Sequence, residues 1–179
     1  MRHTHFLLIV ALAGLLVLPW SAAANAQPDS RNFRAHLTGD EEVADEPVIT
    51  RAQGQAIFQL SKDGTELYYK LIVANIENVT MAHIHLAPVG ENGPVVAWLY
   101  PAAPPPQLIE GRFSGVLAEG VITNDDVITL GDPDDPDFEG SLDALLAEMR
   151  AGNTYVNVHT EQYPAGEVRG QISVRGRLR

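Results

Sequence analysis

Apolar and polar residues alternate over much of this chain. In "NFRAHLT", residues 32–38, Phe33, Ala35 and Leu37 alternate with Arg34, His36 and Thr38. A period of two gives a half-buried strand, and Gly39 ends it. "GQAIFQLSKDGTELYYKLIVANI", residues 54–76, predicts a hairpin. Ala56, Phe58 and Leu60 lead inward, Ile57 faces the other way, and Leu67 to Val73 returns after Lys62-Asp63-Gly64. Asp-Gly between two apolar runs is a strong hairpin signal. "TMAHIHLAP", residues 80–88, reads as a separate strand with Ala82, Ile84 and Leu86 on its apolar face. "VVAWLY" is another, and "PAAPPPQ" after it forbids a regular strand. "GRFSGVLAEGVI" continues the pattern, with Gly115 marking a bulge. "SLDALLAEMRAGN" has helical spacing: Ser141 caps it, Leu142, Leu145, Leu146 and Met149 form its stripe, and Gly152 ends it. "TYVNVHT" and "GEVRGQISV" close the chain as strands. About eight short strands predict a mainly β protein, an antiparallel sandwich or barrel with one short helix near 141–151.

The start of the chain breaks this pattern. Arg2 precedes a continuous apolar run over residues 6–20, and Ala24 and Ala26 then offer an A-x-A cleavage pattern. That is the build of a secretory signal peptide over residues 1–26. The run is short for a membrane span, and no second apolar segment follows it. Residues 27–179 are then one domain, 179 − 26 = 153 residues long, enough for a core of its own. The protein is expected to be exported, periplasmic or secreted, with no membrane span after cleavage.

Removing Arg2 leaves 12 − 1 = 11 Lys and Arg against 23 acidic residues, a net charge of −12. Such a chain repels nucleic acid and anionic lipid. There is no cysteine, so neither a disulfide nor a thiolate site is possible. A transition-metal site would need imidazole, thioether or carboxylate.

Two histidines stand together. On "TMAHIHLAP" Met81, His83 and His85 share the face opposite Ile84. Imidazoles at i and i+2 lie about 7 Å apart at the backbone and can turn onto one ion. On residues 154–160 Val156 and Val158 take one face, and Tyr155, Asn157 and His159 take the other. If the two strands are neighbours, His83, His85 and His159 converge on the outside of the barrel. Three imidazoles suit copper or zinc, and the Met81 thioether tilts the choice toward copper. Proton competition would release the ion near the ordinary imidazole pKa of about 6.5. The other reading is the wet face of two ordinary strands, with structural histidines.

The remaining candidates carry less. His36, beside Arg34, reads as solvated surface. The acidic run over residues 132–140 lacks the spacing of a calcium loop and reads as a solvated loop. Glu167, Arg169 and Gln171 share one strand face and suggest cross-strand ion pairs, with Arg169 a candidate support for His159. No nucleophile motif and no glycine-rich phosphate loop is present.

The segments "AHIHLAPVGENGPVV" and "LLAEMRAGNTYVNVHTEQYPAGEVRGQI", with "AHLTGDEEV" and "GQAIFQL" before them, resemble the CHRD domain. That module is repeated in the animal protein chordin and occurs alone in bacterial exported proteins. The resemblance covers about residues 33–174. It implies one immunoglobulin-like sandwich or barrel, no established enzymatic activity, and the family's histidines at His83, His85 and His159. The cysteines of animal versions have no counterpart. A weaker similarity is to copper-zinc superoxide dismutase, an exported Greek-key barrel with an H-x-H strand on its outer surface. This chain lacks that enzyme's cysteine pair and has too few histidines for its two-metal site, which argues against dismutase chemistry. The combined expectation is a non-enzymatic binding module with a surface copper site at His83, His85, His159 and Met81. Zinc is the alternative ion, and the partner is an unknown extracytoplasmic protein or surface component.

Overall fold

A computed structural model describes residues 30–132 and 135–175. The expected signal segment, residues 1–26, lies outside them. The described residues form ten strands and one α-helix in the order β1 (Asn32–Thr38), β2 (Gln53–Leu60), β3 (Leu67–Leu86), β4 (Val95–Tyr100), β5 (Ile109–Ile122), β6 (Leu130–Asp132), β7 (Asp135–Phe138), α1 (Leu142–Ala151), β8 (Thr154–Thr160), β9 (Val168–Gln171) and β10 (Ser173–Val174).

All pairings of the main sheet are antiparallel. They close on themselves: β1 pairs β2, β2 pairs β3, β3 pairs β8, β8 pairs β9, and β9 returns to β1 with Thr38 opposite Arg169. The result is the expected mainly β, barrel-like architecture, with β4 and β5 added along β3. Closure of this kind removes exposed sheet edges.

The alternation places the core correctly. Phe33, Ala35 and Leu37 of β1 and Ala56, Phe58 and Leu60 of β2 are buried, while Ile57 is 39% exposed. The hairpin turns at Asp63-Gly64. Gly64 has φ of 80°, and the Asp63 carboxylate accepts from Ser61 Oγ and from Thr65. These bonds hold that carboxyl below the usual carboxylate range. Helix α1 is as read. The Ala144 N–H donates to Ser141 Oγ at 3.2 Å, Gly152 is left-handed at φ 85°, and Leu142, Leu145, Leu146 and Met149 are buried. Each such burial contributes about 2 kcal/mol.

Two segments differ from expectation. The second arm of the hairpin and the histidine strand are one element, the twenty-residue β3. Its register with β5 shifts around Asn75 and Asn78, whose φ values are 57° and 53°. Asparagine tolerates that region better than most residues, so no glycine or proline marks the spot. The acidic run is not all loop either. Asp135–Phe138 pairs with Leu130–Asp132 as a small separate sheet, and Phe138 is buried. One aromatic anchor there outweighs the mutual repulsion of exposed carboxylates, which water screens.

Candidate metal centre

The centre lies on the outer side of a sheet formed by β4, β3, β8 and β9. Cross-strand register arranges it in rows. Trp98, His83, Asn157 and Arg169 stand opposite one another in one row, and Val95, His85, Tyr155 and Gln171 in the next. Met81 stands opposite His159. Ala82, Ile84, Val156 and Val158 point the other way, into the core. The local fold follows from side-chain alternation: the apolar stripes must face inward, and that turns the histidines to the common outer side.

That side is not wet. His83, His85 and His159 are 3%, 8% and 5% exposed, and all seven residues of β8 are buried. The expected surface position is therefore wrong, and the reason is a roof of three loops. The loop at 88–94, the loop at 161–167 and the stretch at 39–50 are tied to one another and to the sheet. Asn92 Nδ2 donates to Val43 O at 2.8 Å, Thr50 Oγ1 to Glu167 Oε1 at 2.6 Å, and Tyr163 Oη to Ile49 O at 3.1 Å. Arg169 spans sheet and roof, giving one nitrogen to Asn92 Oδ1 and another to Glu91 O.

The roof also orients the imidazoles. His85 Nδ1 lies 2.9 Å from Gly93 O, and His159 Nδ1 lies 3.0 Å from Pro164 O. A carbonyl only accepts, so both Nδ1 atoms carry the hydrogen and both Nε2 atoms keep a lone pair. His83 Nδ1 is 3.2 Å from His159 Nε2. That separation suits an N–H···N bond. It also suits two nitrogens on one tetrahedral ion, which stand roughly 3.3 Å apart for bonds of 2.0–2.1 Å. The Nε2 atoms of His83 and His85 are buried without a hydrogen-bond partner. One ligand atom from each of the three residues lies within 4.8 Å of the others. The backbone carbonyls on the far nitrogens are the kind of second contact that fixes a ligating imidazole.

Burial keeps the trio neutral. It pushes His83 down to about 3, with the neighbouring His159 and His85 adding to the effect. His159 falls to about 4, again mainly by burial and then by His85, against the opposing Pro164 carbonyl. His85 is lowered by burial and by Arg169, with the Gly93 carbonyl opposing. Lone pairs are therefore available at neutral pH. An ion held there would be released below the expected pH of about 6.5, because protons compete poorly for buried nitrogens.

Around the trio sit residues with other duties. Tyr155 stacks on His85 at 4.8 Å between ring centroids, and the Arg169 guanidinium carbon is 3.5 Å from the Tyr155 ring centre. Arg169 thus supports His85 through Tyr155 rather than His159. Trp98 meets His83 edge-on at 4.2 Å. Asn157 Nδ2 donates to Glu42 Oε2 at 3.3 Å. Burial raises the Glu42 carboxyl to about 7, against the pull of Arg169 and the Asn157 bond. Glu167 accepts from Thr50, and Arg169 donates to Asn92 and Glu91, so hydrogen bonds stand where cross-strand ion pairs were expected. Glu42, Gly93 and Pro164 were invisible as site residues, since two act through backbone carbonyls and the third enters from a loop. His36 is exposed on β1, as expected.

The family model of the CHRD domain matches residues 33–172, most of the chain. The chain belongs to the CHRD domain family. In this CHRD domain both motifs of the resemblance, the His83-x-His85 strand and the strand bearing His159, meet at one place. No curated protein and no solved structure matches the chain. A CHRD domain is typical of extracellular proteins and supports a binding module. No helix among the described residues is long and apolar enough to cross a membrane.

Proposed function

We propose that this CHRD domain is an exported binding module that holds one transition-metal ion, copper before zinc, between His83, His85 and His159, with Met81 beside them. The observation that carries it is the pair of buried Nε2 atoms without partners in a trio whose ligand atoms lie within 4.8 Å. A buried polar atom without a partner costs about 1–3 kcal/mol. A bound ion would take one nitrogen from each imidazole and so give His85 Nε2 a partner. Copper ranks above zinc for nitrogen donors generally. Export rests on Arg2, the apolar run after it and Ala24-x-Ala26, which support a mature single domain of residues 27–179.

Elemental analysis of the protein after equilibration with copper and gel filtration tests the metal reading. About one ion per chain is expected, and a negligible metal content defeats the reading. Mass spectrometry of the exported form should place the first residue at Gln27, and an intact Met1 would defeat the export reading. A second reading makes the trio structural. The bonds to Gly93 and Pro164 favour it, because they pin two roof loops to the sheet. In that case the histidine variants lose stability and no metal affinity changes.

A further inference from the structure

A buried centre selects ions by charge as well as by donor type. The cost of taking an ion out of water rises with the square of its charge. A divalent ion therefore costs about four times a monovalent ion of the same size, unless nearby anions repay it. At this centre the close donors carry no charge: they are three imidazoles, with no carboxylate in the group. Three charged groups are fixed in the roof and sheet around them. Arg169 is fixed by Asn92 and Glu91 and is 2% exposed, so it cannot swing away. Glu42 is held by Asn157, and Glu167 by Thr50. With both acids ionised the sum is +1 − 2 = −1, and with Glu42 protonated it is 0. At most one positive charge is matched, and a second is not.

Donor softness points the same way. Met81 stands opposite His159 across the β3–β8 pair and is half-buried. A thioether is a soft, neutral donor that selects Cu(I), whereas imidazole also takes Cu(II) and Zn(II). We propose that the centre formed by His83, His85, His159 and Met81 is built for monovalent copper in preference to Zn(II) or Cu(II). Cu(I) is bound as such, with no electron transfer. The trio takes up the ion under the roof, and Trp98, edge-on to His83, helps to wall the centre from solvent.

This inference rests on the metal reading above, and one experiment separates the two. The full protein is titrated anaerobically against Cu(I) held by a chromophoric chelator, and in parallel against Zn(II) and Cu(II) with matched competitors. The same titrations are run on Met81→Leu, a volume-conserving change that should leave the fold intact. Expected are a Kd for Cu(I) at least about 100-fold below that for Zn(II) and below that for Cu(II), and a loss of about tenfold in Cu(I) affinity alone in Met81→Leu. Zn(II) or Cu(II) held as tightly as Cu(I), or a Met81→Leu effect equal for all ions, overturns the preference while the metal reading stands. No binding of any ion overturns both.

Discussion

From Leu67 to Val73, β3 has one face in the core and one toward solvent. Leu67, Tyr69, Leu71 and Val73 are buried, while Tyr68 and Lys70 are exposed. From Ala82 to His85 the same strand is buried on both faces. The alternation of residue types is equally clear in the two halves. Its meaning differs because a period of two says which face meets the apolar core, and says nothing about what covers the other. Over the first half no described element does. Over the second half three loops do, and the polar residues beneath them change from surface to centre.

The largest way to test this contrast is on the core face of the second half. Val156 is fully buried and stands opposite Ile84. Val156→Asp would bury an unpaired charge, costing about 4 kcal/mol or more. Urea unfolding should show a protein at or beyond its stability limit.

The roof comes next. A Cβ on Gly93 would lie 1.8 Å from Leu86 O, a backbone atom that cannot turn aside. Gly93→Ala must displace the loop that receives the His85 N–H and donates to Tyr155 Oη. A loss of about 2 kcal/mol is expected from the forced shift, and hydrogen exchange should rise at His85 and Tyr155 before it rises at Leu71.

The pH dependence separates the covered groups from the exposed ones. His83 and His159 titrate at about 3 and about 4 in the fold, against 6.5 for the free group. Below pH 6.5 the unfolded chain therefore binds more protons than the native one, and stability falls as pH drops toward 4 and 3. Glu42 acts in the opposite sense. Raised from 4.5 to about 7, it favours the fold fully below 4.5 and loses that contribution as pH rises through 7. Between 4.5 and 6.5 the one carboxyl offsets only part of the effect of the two histidines, and below 4.5 the histidines act alone. Unfolding midpoints measured without metal should fall as pH drops from about 6.5 to about 3.5. Replacing His83 and His159 by glutamine should remove that fall.

The smallest effect belongs to the first half. Lys70 and Glu119 make an exposed pair at 2.8 Å, with side chains 46% and 62% exposed. Lys70→Ala should cost under about 0.5 kcal/mol. A larger loss would mean that this face is covered too.

Much of the fold was legible because it is written in local chemistry. The Asp63-Gly64 turn, the Ser141 cap, the Gly152 stop and the inward stripes of β1 and β2 each depend on residues within a few positions of one another. The convergence of His159 with His83 and His85 needed only that β8 lie beside β3, and the apolar stripes on both made that pairing favourable. The burial of the trio was not legible. It depends on Asn92 reaching Val43, Thr50 reaching Glu167 and Arg169 reaching Asn92, contacts across 49, 117 and 77 positions of chain. Such bonds leave no periodic trace. Asn75 and Asn78 likewise gave no sign that two apparent strands are one.

The central claim is that His83, His85 and His159 form one metal centre under that roof. Calorimetric titration of metal-free protein with copper, beside the His83→Ala/His85→Ala variant, tests it most directly. One ion per chain should bind the wild-type protein, and the variant should lose affinity by about 100-fold or more, the cost of removing two of three imidazole ligands. Equal and weak binding by both proteins would contradict the claim and leave the trio as buried strand structure.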